Sequence, residues 1–199
     1  MEGIWFYWIG WIGWVITTFI VGKGKVRTQV AILILVLLSF AHMKISILSH
    51  EISIGFLILL FVSYMMSAKL NNITLLYISI CTIILGLAYV TFYLFSLFDP
   101  VWIVFNPTFM VSFILTYLVL LLTKQSLKRY IIFIIGICHG EVLYRVILSK
   151  IQFTQTIGTL LFFDIVAIGI FMISLWNGLE LLSTYFNQLQ QKQARERLG

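Results

Sequence analysis

The chain has 199 residues, of which 61% are hydrophobic and 10% charged, and it carries a formal net charge of +6. A soluble domain has about a quarter charged residues, and a globule of this size could not hide so much apolar side chain from water. The composition therefore excludes a soluble globular domain, a disordered chain and a nucleic-acid binder, and implies a polytopic membrane protein bathed by lipid.

Seven apolar runs of spanning character follow in chain order: residues 3–21, 28–47, 52–68, 73–97, 101–123, 130–148 and 157–178. A spanning helix needs about 20 apolar residues. The expectation is an all-α, seven-helix transmembrane bundle over residues 1–178 with a helical tail over 179–199. The start, Met1-Glu2-Gly3, lacks the basic stretch of a signal peptide, so the first run is expected to remain in the mature protein.

The second run is the least regular, because it closes with His42 and Lys44 and spans only if Lys44 reaches outward. Asp99-Pro100 and Asn106-Pro107 mark breaks around the fifth run. Asn106 either caps a helix that has Pro107 in its first turn, leaving 101–105 as an interfacial or re-entrant stretch, or the helix kinks at Pro107.

With seven spans, ten Lys and Arg fall on one side, among them Lys23, Lys69, Lys124, Lys128, Arg129 and Lys192, and only Lys44 and Lys150 on the other. The positive-inside rule then places the N-terminus outside and the C-terminus in the cytoplasm. Trp5, Tyr7, Trp8 and Trp102 read as an interfacial aromatic belt. In the tail, Leu179, Leu182, Phe186 and Leu189 recur at 3–4 spacing on one helical face, ahead of a polar, basic end.

Ionisable residues inside lipid are functional candidates. Here they are His139, Glu141, Arg145 and Asp164. Glu141 and Arg145 stand four apart on one helix face, whereas His139 points elsewhere. Counting 1.5 Å per residue puts Arg145 about 7 Å, Asp164 about 10 Å and Glu141 about 14 Å below one boundary, so the three are expected to form a triad. It either locks two helices together or offers a spare carboxylate as a proton or cation site.

Gly136 and Gly140 form a Gly-x-x-x-Gly notch for a close helix neighbour. Cys81 and Cys138 read as small apolar fillers, and His42, His50 and Glu51 as loop residues. No metal site and no cofactor is expected.

Residues 140–145, Gly-Glu-Val-Leu-Tyr-Arg, resemble part of the first motif of the intramembrane CAAX-type protease family, but Gly140 stands where the first of two glutamates belongs and no histidine follows His139. No Gly-x-Ser-x-Gly of a rhomboid-type serine site occurs. The Met1-Glu2-Gly3 start, the aromatic stretch from Trp5 to Trp14 running into Thr17-Thr18-Phe19, and the chain length and span layout together resemble the YphA-like family of multipass membrane proteins from bacilli. That resemblance implies a bacterial plasma-membrane location and no particular activity.

The functional expectation is a non-enzymatic scaffold, sensor or interaction component. Its partners are the lipid bilayer and a membrane or cytoplasmic protein held by the C-terminal tail. The alternative is a small proton-coupled permease built on Glu141, Arg145 and Asp164.

Overall fold

A computed structural model describes residues 2–47, 50–150 and 156–196. Seven α-helices lie among these residues: α1 (Ile4–Val15, extended by a π-helical turn, Ile16–Ile20), α2 (Lys25–Phe40), α3 (Ile54–Ser67), α4 (Asn72–Phe98), α5 (Pro107–Leu122), α6 (Ser126–Ser149) and α7 (Leu160–Glu196). Two short strands, β1 (Lys44–Ile47) and β2 (His50–Ser53), pair antiparallel between α2 and α3, with Lys44 opposite Ser53 and Ile45 opposite Ile52.

The expectation of seven spans is corrected by this structure. Among the described residues, three helical segments combine the length and apolar character needed to cross a bilayer: Asn72–Phe98, Ser126–Ser149 and Leu160–Gln188. Ile4–Ile20, Ile54–Ser67 and Pro107–Leu122 are apolar but shorter. The 14 residues of α3 reach about 21 Å at 1.5 Å each, short of a hydrocarbon core of about 30 Å.

The physical reason is that an apolar run is not all helix. Residues 44–47 and 52–53 leave the expected second and third runs to pair as a hairpin, and 101–106 leave the fifth as a turn. The charge tally that set the N-terminus outside and the C-terminus in the cytoplasm rested on seven alternating connections, and it loses its basis with them. Of the two accounts of Pro107, the capped start is found: Asn106 Oδ1 accepts from Thr108 N–H at 3.0 Å and α5 begins at Pro107.

The helices pack as a closed circuit, α1 on α2, α2 on α3, α3 on α6, α6 on α4, α4 on α5, α5 on α7 and α7 on α1, with α6 also touching α5 and α7. α6 is thus the central element, and its buried residues, such as Ile132, Phe133 and Ile137, run along most of its length. The outward faces are strongly apolar, with Trp8, Phe19, Phe61, Ile73 and Phe95 all exposed. A continuous apolar exterior of this extent is stable against lipid and not against water.

α4 and α6 form the most extensive pair because three glycines let their backbones meet. A Cβ at Gly136 would stand 2.8 Å from Leu85 Cβ, one at Gly140 2.8 Å from Tyr89 Cβ, and one at Gly86 3.2 Å from the Gly136 carbonyl oxygen. This close approach sets the depth at which α4 side chains meet the charges of α6.

Candidate functional site

Glu141 has no solvent-exposed surface (0%). Its Oε1 accepts from Arg145 Nε at 2.9 Å, one turn along α6, and from the Gly158 backbone N–H at 3.3 Å. Its Oε2 accepts from Tyr89 Oη of α4 at 2.6 Å. A buried carboxylate needs such donors, because an unpaired charge in this setting costs several kcal/mol.

The surroundings are aromatic. The Tyr89 and Tyr93 rings lie 4.8 Å apart, Tyr93 and Tyr144 5.1 Å, and the Arg145 guanidinium carbon stands 5.4 Å from the Tyr144 ring centre. Arg145 therefore shares its charge between a carboxylate and a ring face.

Residues 156–159, which lead into α7, pack against this site. Ile157 makes a parallel bridge to Ile52, its N–H donates to the Glu51 carbonyl, and its own carbonyl accepts from Ser53 N–H. Gly158 follows at φ +74, a conformation that costs a residue with Cβ, and a Cβ there would sit 2.6 Å from Phe56 Cβ. The turn can deliver its N–H to Glu141 only as glycine. On the solvent side Lys44 Nζ, Glu51 Oε2 and the Thr156 hydroxyl form a small network at 2.9–3.2 Å. The hydrogen bond from Thr156, followed by the hydrogen bond and charge of Lys44, holds the Glu51 carboxyl below its ordinary value.

The structure does not bring the expected triad together. Glu141 and Arg145 pair, but both oxygens of Asp164 accept backbone N–H groups, Oδ2 from Gly3 and Oδ1 from Phe6, each at 2.7 Å. Asp164 of α7 thereby caps the N-terminus of α1, where unpaired amides and the helix dipole favour a carboxylate. His139 is in neither place: its Nε2 is hydrogen-bonded to Tyr64 Oη of α3. Gly136 and Gly140 lie in the α4–α6 contact. Cys81 and Cys138 are free and buried. Among the described residues no group of three His, Cys, Asp or Glu gathers as a metal site. His50 and Leu189 belong to the hairpin and α7, and Trp102 to a short 3₁₀ turn, Pro100–Trp102.

A second polar centre lies at the other end of α6, unread in the sequence. Arg129 is 3% exposed. Its guanidinium grips Glu180 of α7 with two bonds of 2.7 and 2.8 Å, donates to Asn177 Oδ1, and reaches the Thr123 carbonyl at 3.1 Å. Trp176 Nε1 donates to Glu180 Oε1 at 2.7 Å, and Asn177 donates to Tyr130 Oη, which in turn contacts Ser174. The one available signal was residue type. Among neighbouring lysines, the arginine is the side chain whose planar fork suits a buried carboxylate.

The family described as YphA-like integral membrane protein matches residues 2–199. The chain belongs to this YphA-like family. Among relatives, the uncharacterized protein YphA of Bacillus subtilis (strain 168) is 26% identical over 199 residues, covering 100% of this chain and 98% of that protein. No solved structure matches. Membership makes the chain a bacterial, multi-pass membrane protein, in keeping with the apolar exterior and the long apolar helices. The YphA-like chain shows no catalytic constellation among its described residues. Its buried charges are each occupied by helix-to-helix or helix-to-turn bonds.

Proposed function

We propose that the protein is a non-enzymatic interaction component of the bacterial plasma membrane, a scaffold or sensor that works through the free end of α7. The observation that carries this reading is the continuity of α7, one helix of 37 residues from Leu160 to Glu196. At 1.5 Å per residue it is about 55 Å long, against a hydrocarbon core of about 30 Å. Beyond the Arg129–Glu180 clamp the side chains of residues 181–188 lie open, among them Leu181, Leu182, Tyr185 and Phe186. A stiff helix, anchored at its base and exposed beyond it, suits contact with another protein.

The permease reading finds less support, since Glu141 and Asp164 bond to different partners. Chemical crosslinking in native membranes tests the interaction role. A chain ending at Glu180 keeps the clamp and is expected to lose protein crosslinks seen with the full chain, whereas Glu141→Gln keeps them. Undiminished crosslinks in the shortened chain would refute the role of α7.

A further inference from the structure

The exposed end of α7 has a more definite pattern than mere apolarity. Leu175, Leu179, Leu182 and Phe186 recur at spacings of four, three and four, and are 53%, 52%, 55% and 60% exposed. Alternating spacings of this kind form the seam of a coiled coil, with Leu175 and Leu182 at d and Leu179 and Phe186 at a. The flanking e and g positions from Trp176 to Gln190 are Trp176, Gly178, Ser183, Tyr185 and Gln190, none of them charged. Glu180 projects at position b and is held by Arg129 of its own chain. No like charges would face each other across a parallel seam.

The geometry points to a second copy of this chain as the occupant: we propose that two copies join through parallel α7 helices, with the seam running from Leu175 to Phe186. This rests on the interaction role proposed above for α7. The helix is unbroken through Gly178, so its end continues along the axis of the span rather than turning flat onto the membrane surface. Two copies in one bilayer carry their α7 helices at the same height and in the same direction, which presets the register a parallel pair needs. The outward face is also large enough. Phe171 and Tyr185, 51% and 58% exposed, flank the four seam residues. Six such side chains leave roughly 100 Å² each, or about 1,200 Å² over both copies, the lower bound of a specific interface.

The test is site-directed crosslinking in native membranes, with the buried Cys81 and Cys138 of the unmodified chain as the background. Leu182→Cys and Phe186→Cys place thiols within the reach of a disulfide across the seam, whereas Thr184→Cys and Gln188→Cys place them on the far side. The expected result is about tenfold more covalent dimer from the first pair than from the second. Light scattering in mild detergent is expected to find twice the 23.0 kDa chain mass for the unmodified protein and a single chain for Leu182→Glu with Phe186→Glu. Those residues are exposed in one protomer, so this variant keeps its fold. Equal crosslinking at all four positions, or a monomer throughout, would overturn the proposal. Thiols at 182 and 186 that form no dimer and are shielded from a water-soluble maleimide would assign the face to lipid instead. A crosslinked species of another mass, lost in the Leu182→Glu, Phe186→Glu chain, would overturn the self-pairing and leave the interaction role of α7 standing.

Discussion

Tyr89 Oη donates to Glu141 Oε2 across 2.6 Å, joining α4 to α6 at a carboxylate with no exposed surface. The bond exists because glycines at 86, 136 and 140 bring the two backbones close enough for a tyrosine to reach the acid. Tyr89→Phe leaves Glu141 with fewer donors for a buried charge. It is expected to cost about 1.5–3 kcal/mol, as hydrogen bonds to charged groups do. In a double-mutant cycle with Glu141→Gln, measured by thermal unfolding in detergent, the two losses are expected to be less than additive. Full additivity would show that the bond carries no energy.

Gly140→Ala and Gly178→Ala are expected to act in opposite directions. A Cβ at Gly140 would meet Tyr89 at 2.8 Å and the Gly86 carbonyl oxygen at 3.0 Å, so α4 must retreat, at a cost of about 1–3 kcal/mol. Nothing lies within 4 Å of a Cβ at Gly178. Alanine there is expected to stiffen α7 by about 0.5–1 kcal/mol. Unfolding midpoints of the two variants in one detergent check both signs.

Asp164→Asn keeps the size of the side chain but removes the charge that caps α1, and its amide group turns a donor toward one of two backbone N–H groups. A carboxylate at a partly buried helix N-terminus is worth up to about 2 kcal/mol. Faster hydrogen exchange at residues 3–6, with the α4–α6 contact unchanged, is the expected outcome. Unaltered exchange at those amides would show that α1 is held by packing alone.

Arg129→Lys is expected to weaken the base of α7 although the charge is kept, because an ammonium cannot reproduce the paired bonds to Glu180 while also holding Asn177 and the Thr123 carbonyl. The loss is about 1–3 kcal/mol. It is to be read as increased protease sensitivity beyond residue 180 relative to Lys128→Arg, which changes a neighbouring basic side chain in the opposite sense.

The contact between the hairpin and the α6–α7 turn carries an acid sensitivity. Glu51 titrates below its ordinary 4.5, through its bonds to Thr156 and Lys44. A depressed carboxyl stabilises the fold above its unfolded pKa, and that contribution fades as pH falls through the lower folded value. Exchange protection at the Ile157 amide, which bonds to the Glu51 carbonyl, is therefore expected to hold near neutrality and to decline below about pH 4.5. In Glu51→Gln the decline is expected to vanish.

Some of this was legible in the residues. The spacing of Glu141 and Arg145 places them on one helix face, and Asn106-Pro107 marks a capped start or a kink, of which the structure takes the cap. Both are local, fixed by helix geometry or by neighbours within a few positions. The partners of Asp164 were not legible, since they are backbone amides 158 and 161 residues away, and every residue except proline offers one. The grip of Arg129 on Glu180 spans 51 positions and looked like an ordinary basic residue at an interface.

Composition alone determined that this polypeptide lives in a membrane, because its apolar surface has no stable alternative. Tertiary structure decided which apolar runs remain helix and which charges meet. The hairpin takes residues from two apolar runs, the glycine contact sets the reach of Tyr89, and the closing turn completes Glu141. Hydrophobicity has no direction and so sorts a chain between solvents. Hydrogen bonds and ion pairs depend on distance and angle, which exist only once the helices have packed.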